Sequence, residues 1–351
     1  MAFEVLNGLT KLPGLCDVHV HFREPGFSYK ETIKTGSLAA KAGGFTAVCA
    51  MPNLNPVPDS IENIKLEQDI IDRDACIAVY PYAAITVGEG GEEIADLEGL
   101  APRCIAFSDD GHGVSDEGLM REAMERIRDL GKILAAHCEL FPGDYSPESE
   151  WKEIERDVKL AAATGCAYHV CHISTKESVS IIRDAKKSGV DITCETAPHY
   201  LTLCNDDVLD EGRFKMNPPL RTIKDKEALL LGILDGTIDM VATDHAPHSA
   251  EEKSKGFAGS LNGIVGLETA FPVLYTDLVK TQTITLDRLV ELMSMNPRQR
   301  FNIPLRDDFT LWALDEEFIV DPSKFLTMGR STPFEGRKLF GVLKETYFSG
   351  I

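Results

Sequence analysis

At 351 residues the chain has room for one large α/β domain with a small appendage, but is short for two full domains. Hydrophobic residues make up 43% and charged residues 26%, as in globular proteins, with no apolar run near the roughly 18 residues of a membrane span. The formal net charge of −20 sets the long-range field against nucleic acid and anionic membranes, and admits an anionic small molecule only where a local cationic patch reverses that field. The opening MAFEVLNGLTK lacks the basic and apolar regions of a signal peptide, so a cytoplasmic protein is expected. Nine scattered cysteines without a C-x-x-C pair, several in apolar runs, predict reduced, buried thiols.

In chain order, strand-like runs fall at 15–21 (LCDVHVH), 45–51, 76–84, 104–107 (CIAF), 132–137 (KILAAH), 168–173 (YHVCHI), 191–196 (DITCET) and 239–243 (DMVAT). Amphipathic stretches lie between them, and three of these (EGLMREAMERIRDLG, SEWKEIERDVKLAAATG and KESVSIIRDAKKSG) end in Gly, the usual left-handed stop of a helix. Eight strands, most separated by helices, imply parallel pairing. His21, Asn53, Asp110, His137, His172 and Asp244 all fall at or just after the C-terminal end of a strand. That favours a closed (β/α)8 TIM-type barrel over an open sheet, because loops from many strands of a barrel converge on one face. The barrel is expected over 13–303. Residues 1–12 and 304–351 are expected to form a small partial β-layer packed on it, with DFTLWALD and EEFIVD as short strands and two Gly breaks in the last stretch.

The chemistry-bearing residues follow the same order. In DVHVHF, His19 and His21 stand at i and i+2 and project together, while Val18, Val20 and Phe22 are expected to face the helices. Two imidazoles at a barrel mouth make a bidentate metal clamp. FSDDG places Asp109 and Asp110 at the end of the fourth strand, where either could bridge two cations. His137 closes the fifth strand. In YHVCHIS alternation allows only one histidine to face the axis; His172 is chosen, and His169 is expected beneath a helix. Asp244 ends an apolar strand, where an unpaired carboxylate is costly unless a metal or a proton-transfer role compensates.

This order of ligands resembles that of the amidohydrolase superfamily. The runs PGLCDVHVHFREPG, AGGFTAVCAMPNLNPVPD, AFSDDG, CHIST, CETAPHYL, MNPPLR, ATDHAPH and GIVGLETAFP are similar to those of dihydroorotases. The resemblance implies reversible interconversion of L-dihydroorotate and N-carbamoyl-L-aspartate in pyrimidine biosynthesis, with two zinc ions per subunit bridged by a hydroxide and a carboxylate. By the same resemblance His19, His21 and Asp244 hold the more buried ion, and His137 and His172 the second. Where many relatives carry a carboxylated lysine this chain has Ala106, which implies the branch that bridges with the second aspartate, Asp110. Arg23, Asn53 and His248 match a clamp for the substrate carboxylate, Asn217 a residue that touches the ring, and Asp244 the acid–base group. A homodimer, in some relatives joined to aspartate transcarbamoylase, is also implied. The competing readings are a hydantoinase, dihydropyrimidinase or allantoinase, and a non-catalytic scaffold for the transcarbamoylase.

Overall fold

The computed structural model describes residues 3–350. Its strands are β1 (Val5–Leu6), β2 (Leu9–Pro13), β3 (Leu15–Val20), β4 (Phe45–Ala50), β5 (Ala78–Pro81), β6 (Ile133–Ala136), β7 (Ala167–Val170), β8 (Ile192–Thr196), β9 (Met240–Val241), β10 (Phe309–Ile319) and β11 (Lys338–Tyr347). β3, β4 and β5 pair in parallel, as do β6, β7, β8 and β9. The 104–107 segment joins the two groups: Phe107 bridges Ala83 on one side and Leu134 on the other, both in parallel. Val20 bridges His245, and the His21 N–H donates to the His245 carbonyl at 2.8 Å. The ring thus closes into a (β/α)8 barrel.

Helices return the chain between strands, and their ends are written locally. Asp116, Ser146 and Thr175 accept hydrogen bonds from backbone N–H groups three residues on, starting helices Glu117–Asp129, Pro147–Thr164 and Lys176–Lys187. The three stop at Gly131, Gly165 and Gly189, at φ of +65°, +74° and +81°. A large apolar cluster fills the space between strands and helices. A second, drawn from Cys16, Val18, Ala47, Cys49, Tyr82, Ala106, Ala135, Met240 and Ala242, plugs the barrel interior with Phe301 and Ile303. The polar groups above that plug therefore sit on a dense floor.

Three local expectations are corrected. Val18 faces inward with the plug, not outward, while Val20 and Phe22 do pack with the helices. The pairing shifts register between Asp17 and Val20, so three steps on β3 face two on β4 and the alternation slips by one. The proposed pair of short strands at 308–321 is one strand, β10, kept continuous by bulges. Gly341 does not break β11. It sits at one of those bulges with φ +92°, a conformation glycine adopts without cost. β1, β2, β10 and β11 form an antiparallel sheet in that order. It meets the barrel through Trp312, 1% exposed, whose ring lies 4.1 Å from Phe271. No helix among the described residues is long and apolar enough to cross a membrane.

Candidate metal centre

Six side chains converge above the plug at the C-terminal ends of the strands. His19 rises from β3 and His21 from just beyond it, Asp110 from the segment after Phe107, His137 from just beyond β6, His172 from beyond β7 and Asp244 from beyond β9. The Asp110 carboxylate lies among all four imidazoles. Oδ1 is 3.4 Å from His19 Nε2, 3.6 Å from His172 Nε2 and 3.9 Å from His137 Nδ1, and Oδ2 is 3.5 Å from His21 Nε2. Asp244 Oδ1 is 3.2 Å from His21 Nε2 and 3.7 Å from His19 Nε2. Five of the six fall into two groups sharing Asp110: His19, His21 and Asp110, and Asp110, His137 and His172, each with ligand atoms within 4.8 Å, while Asp244 stands beside the first group.

The donor set suits divalent cations. His19 Nε2 and Asp110 Oδ1, which face one another at 3.4 Å, are buried without a hydrogen-bond partner among the described residues, an arrangement that costs free energy unless an ion completes it. Burial alone would lower the His19 pKa, but the Asp110 and Glu195 carboxylates outweigh it and hold it well above the ordinary value. Burial would likewise raise Asp110, yet His19, His172 and His21 keep it well below the usual range. Asp244 is also held low, its desolvation overcome by His21, His19 and His172. Positive charge is needed at this point, and a bound cation supplies it while displacing imidazole protons.

Backbone strain marks the same place. Arg23, His172 and Asp244 have φ of +60°, +31° and +48°, a region non-glycine residues adopt only when the surroundings enforce it. At His172 this explains a second departure from strict alternation. Tyr168 and Val170 face the helices, whereas His169 and Cys171 face inward. His172 reaches the mouth because the chain leaves the strand after Val170 and turns. Both histidines therefore enter the barrel at different depths, and His169 is not beneath a helix.

That turn is clamped by Glu150, 4% exposed. Its Oε1 accepts from the N–H groups of Ser174 and Thr175 at 3.0 and 3.1 Å, from Thr175 Oγ1 at 3.0 Å and from Ser178 Oγ at 2.7 Å, and Oε2 accepts from Ser174 Oγ. Glu150→Ala strands several of these donors at about 1–3 kcal/mol each. We expect a loss of about 3 kcal/mol in urea unfolding; a change under about 1 kcal/mol would show the clamp to be dispensable.

Above the cluster opens a cavity of about 280 Å³, sized for one small molecule. Arg23, Asn53 and Asn217 line it together with His21, Asp110, His137, His172 and Asp244. Asn53 donates to the Asp110 carbonyl, and Asn217 Nδ2 lies 3.2 Å from Glu139 Oε2 and 3.5 Å from His137 Nε2. His19 lies deeper, fully buried. His248 is not on the cavity wall. Its Nε2 is 2.7 Å from the Asn262 carbonyl, and its Nδ1 faces Glu252 and Lys30 at 3.3 and 3.4 Å. With both nitrogens engaged, it holds the Asn262–Gly263 wall from behind instead of facing the cavity; a Cβ on Gly263 would approach its Cδ2 to 3.0 Å. Asp109 also stands apart, its Oδ1 accepting from the Ile85 and Thr86 N–H groups at 2.7 and 3.1 Å and its Oδ2 from Thr86 Oγ1.

Sequence reasoning missed Glu195, whose Oε1 lies 2.8 Å from His19 Nδ1, and Glu139, 3.4 Å from His137 Nε2. The signal for Glu195 was present: an acid inside the apolar run DITCET, on the same face as Thr193. Glu139, in a loop, offered none.

A family model described as dihydro-orotase-like matches residues 8–141 and 143–178. The chain is 47% identical to the dihydroorotase of Fusobacterium nucleatum over 363 residues, 96% of this chain and 85% of that protein. It is also 47% identical to the dihydroorotase of Geobacillus sp. over 378 residues, covering 99% and 88%. Among solved structures, the L-hydantoinase (dihydropyrimidinase) from Arthrobacter aurescens superposes with a TM-score of 0.87 at 24% identity, over 98% of this chain and 85% of that one, a likeness of fold.

Proposed function

This chain belongs to the dihydroorotase-like family, and we propose that it interconverts L-dihydroorotate and N-carbamoyl-L-aspartate, a step of pyrimidine biosynthesis, by reversible hydrolysis of the ring amide. It is a cyclic amidohydrolase. The observation that carries the reading is one carboxylate, Asp110, set among four buried imidazoles beneath a cavity that also exposes a guanidinium.

His19, His21 and Asp244 are assigned to one cation and His137 and His172 to a second, with Asp110 shared. Imidazole and carboxylate donors together suit zinc, two ions per subunit. Bound there, divalent ions supply positive charge that polarises a carbonyl and lowers the pKa of water. The protein's own groups do the rest. Arg23 and Asn53 hold the substrate carboxylate, the guanidinium through paired hydrogen bonds, and provide the local cationic patch that a −20 chain needs. Asn217, beside His137, touches the ring, and His248 acts from behind through the Asn262–Gly263 wall. Water adds to the amide carbonyl carbon and the ring C–N bond breaks. An Asp244 carboxylate oxygen takes the water's proton and delivers it to the departing ring nitrogen. Cyclisation is the reverse, with Asp244 protonating the leaving oxygen.

Residues 13–303 form the catalytic unit in this reading and 1–12 with 304–351 the appendage. The working form is a cytoplasmic homodimer, with aspartate transcarbamoylase as a candidate partner.

The deciding experiment is a kinetic comparison, on protein of measured zinc content, of dihydroorotate and carbamoyl-aspartate with dihydrouracil, hydantoin and allantoin. Activity confined to the first two is expected. A preference for a substrate without the carboxylate would overturn the assignment, and a protein that retains no metal would favour a scaffold. Arg23→Met is expected to raise KM for dihydroorotate by about 10- to 100-fold, the worth of a charge-assisted hydrogen bond of about 1.5–3 kcal/mol, with a smaller change in kcat. An unchanged KM would remove the clamp.

A further inference from the structure

Below the six converging side chains, inside the barrel, lies a polar assembly that the reaction above does not use. Glu195 projects inward from β8 and is 1% exposed. Its oxygens serve two histidines: Oε1 is 2.8 Å from His19 Nδ1, and Oε2 is 3.3 Å from His169 Nε2. The His172 N–H also donates to Oε1 at 3.3 Å. His169 is fixed in turn, with Nδ1 2.8 Å from Thr193 Oγ1 and its ring packed edge-on against Phe301 at 5.2 Å. None of Glu195, His169 and Thr193 lines the cavity.

Burying a carboxylate and an imidazole this deep costs several kcal/mol that an apolar pair of similar size would not. The arrangement does specific work on His19. An imidazole with Nδ1–H on a carboxylate presents Nε2 as a lone pair and loses freedom to turn. Nε2 of His19 makes no hydrogen bond and faces the Asp110 and Asp244 carboxylates at 3.4 and 3.7 Å. We propose that Glu195, pinned by His169, is the positioning residue that holds His19 as the Nδ1–H tautomer with Nε2 turned to the inner cation, and so sets that ion's affinity. The inference rests on the two-cation reading above and adds to it a group outside the ligand set.

The test is a zinc titration of the chelator-stripped full chain against a competing chromophoric chelator, for wild type, Glu195→Ala, Glu195→Gln and His169→Gln. Wild type should bind two equivalents. Glu195→Ala should weaken one by about 10- to 100-fold, the usual cost of losing an outer partner, and leave the other within about threefold. Glu195→Gln, which keeps an acceptor for Nδ1–H but not the charge, should lose less, and His169→Gln less again. Nitrogen NMR of zinc-loaded wild type should show the His19 proton on Nδ1, a readout that holds even if Glu195→Ala does not fold. The proposal is overturned if Glu195→Ala and Glu195→Gln bind both equivalents as wild type does, if both ions weaken equally, or if the proton sits on Nε2. It is also overturned by a third zinc equivalent lost in Cys171→Ala, since ligand atoms of His19, Cys171 and Glu195 also lie within 4.8 Å of one another and would then hold a metal between them. Wild type that binds no zinc would instead sink the cation reading itself.

Discussion

Asp244→Asn is expected to lower kcat for dihydroorotate hydrolysis by about 10²- to 10⁴-fold, the range that a positioned acid–base group contributes, with little change in thermal stability. Asparagine keeps the size and an oxygen that can face His21, which lies 3.2 Å from the carboxylate, but loses both the charge offered to the cation and the capacity to carry a proton, and only the second is read at fixed zinc content. The group is well placed for that task. Asp244 lines the cavity, with its Oδ1 3.2 Å from His21 Nε2 and 3.7 Å from His19 Nε2, so one carboxylate reaches both the cation site and the space above it. Steady-state kinetics in both directions at fixed zinc content provide the check. Activity within about tenfold of wild type, with metal retained, would exclude Asp244 as the proton carrier.

The second large effect separates two adjacent acids. Asp110→Ala is expected to lower zinc affinity by at least about 10²-fold and to abolish measurable turnover, since its loss exceeds that of an outer partner, at 10- to 100-fold. The neighbouring Asp109→Ala should leave two zinc equivalents per chain and cost about 2 kcal/mol of stability, because Asp109 accepts from Ile85 and Thr86 and stranding buried N–H groups costs about 1–3 kcal/mol. Elemental analysis and urea unfolding on the two variants give opposite patterns. If Asp109→Ala were the one to lose metal, the shared-carboxylate assignment would pass to it.

The two histidines of YHVCHIS show where sequence reasoning stops. Strict alternation predicts that one faces in and one out, yet both His169 and His172 enter the barrel. The strand ends at Val170, and His172 takes φ +31° to turn back toward the mouth. A period of two describes a strand only while the strand lasts, and nothing local to Cys171 announces its end. The slip at β3 is similar. The bulge between Asp17 and Val20 turns Val18 into the plug, and it is a property of the pairing with β4, not of either strand alone. His248 illustrates a third limit: its match to a motif locates it near the site, but which side of a wall it faces depends on Asn262 and Glu252, one of them fourteen residues away.

By itself the sequence determined the parallel alternation of strands and helices, the helix stops at Gly131, Gly165 and Gly189, and the polar residues due at strand ends, because these depend on periodicity and on residues close in the chain. Only the tertiary structure decided that Asp109 turns away to Ile85 and Thr86, that Glu195 stands behind His19, and that His248 backs the cavity without lining it. Those relations join residues up to 176 positions apart. They are fixed by barrel closure, register shifts and three left-handed backbone positions, which arise from packing between strands and have no signature within a single stretch of chain.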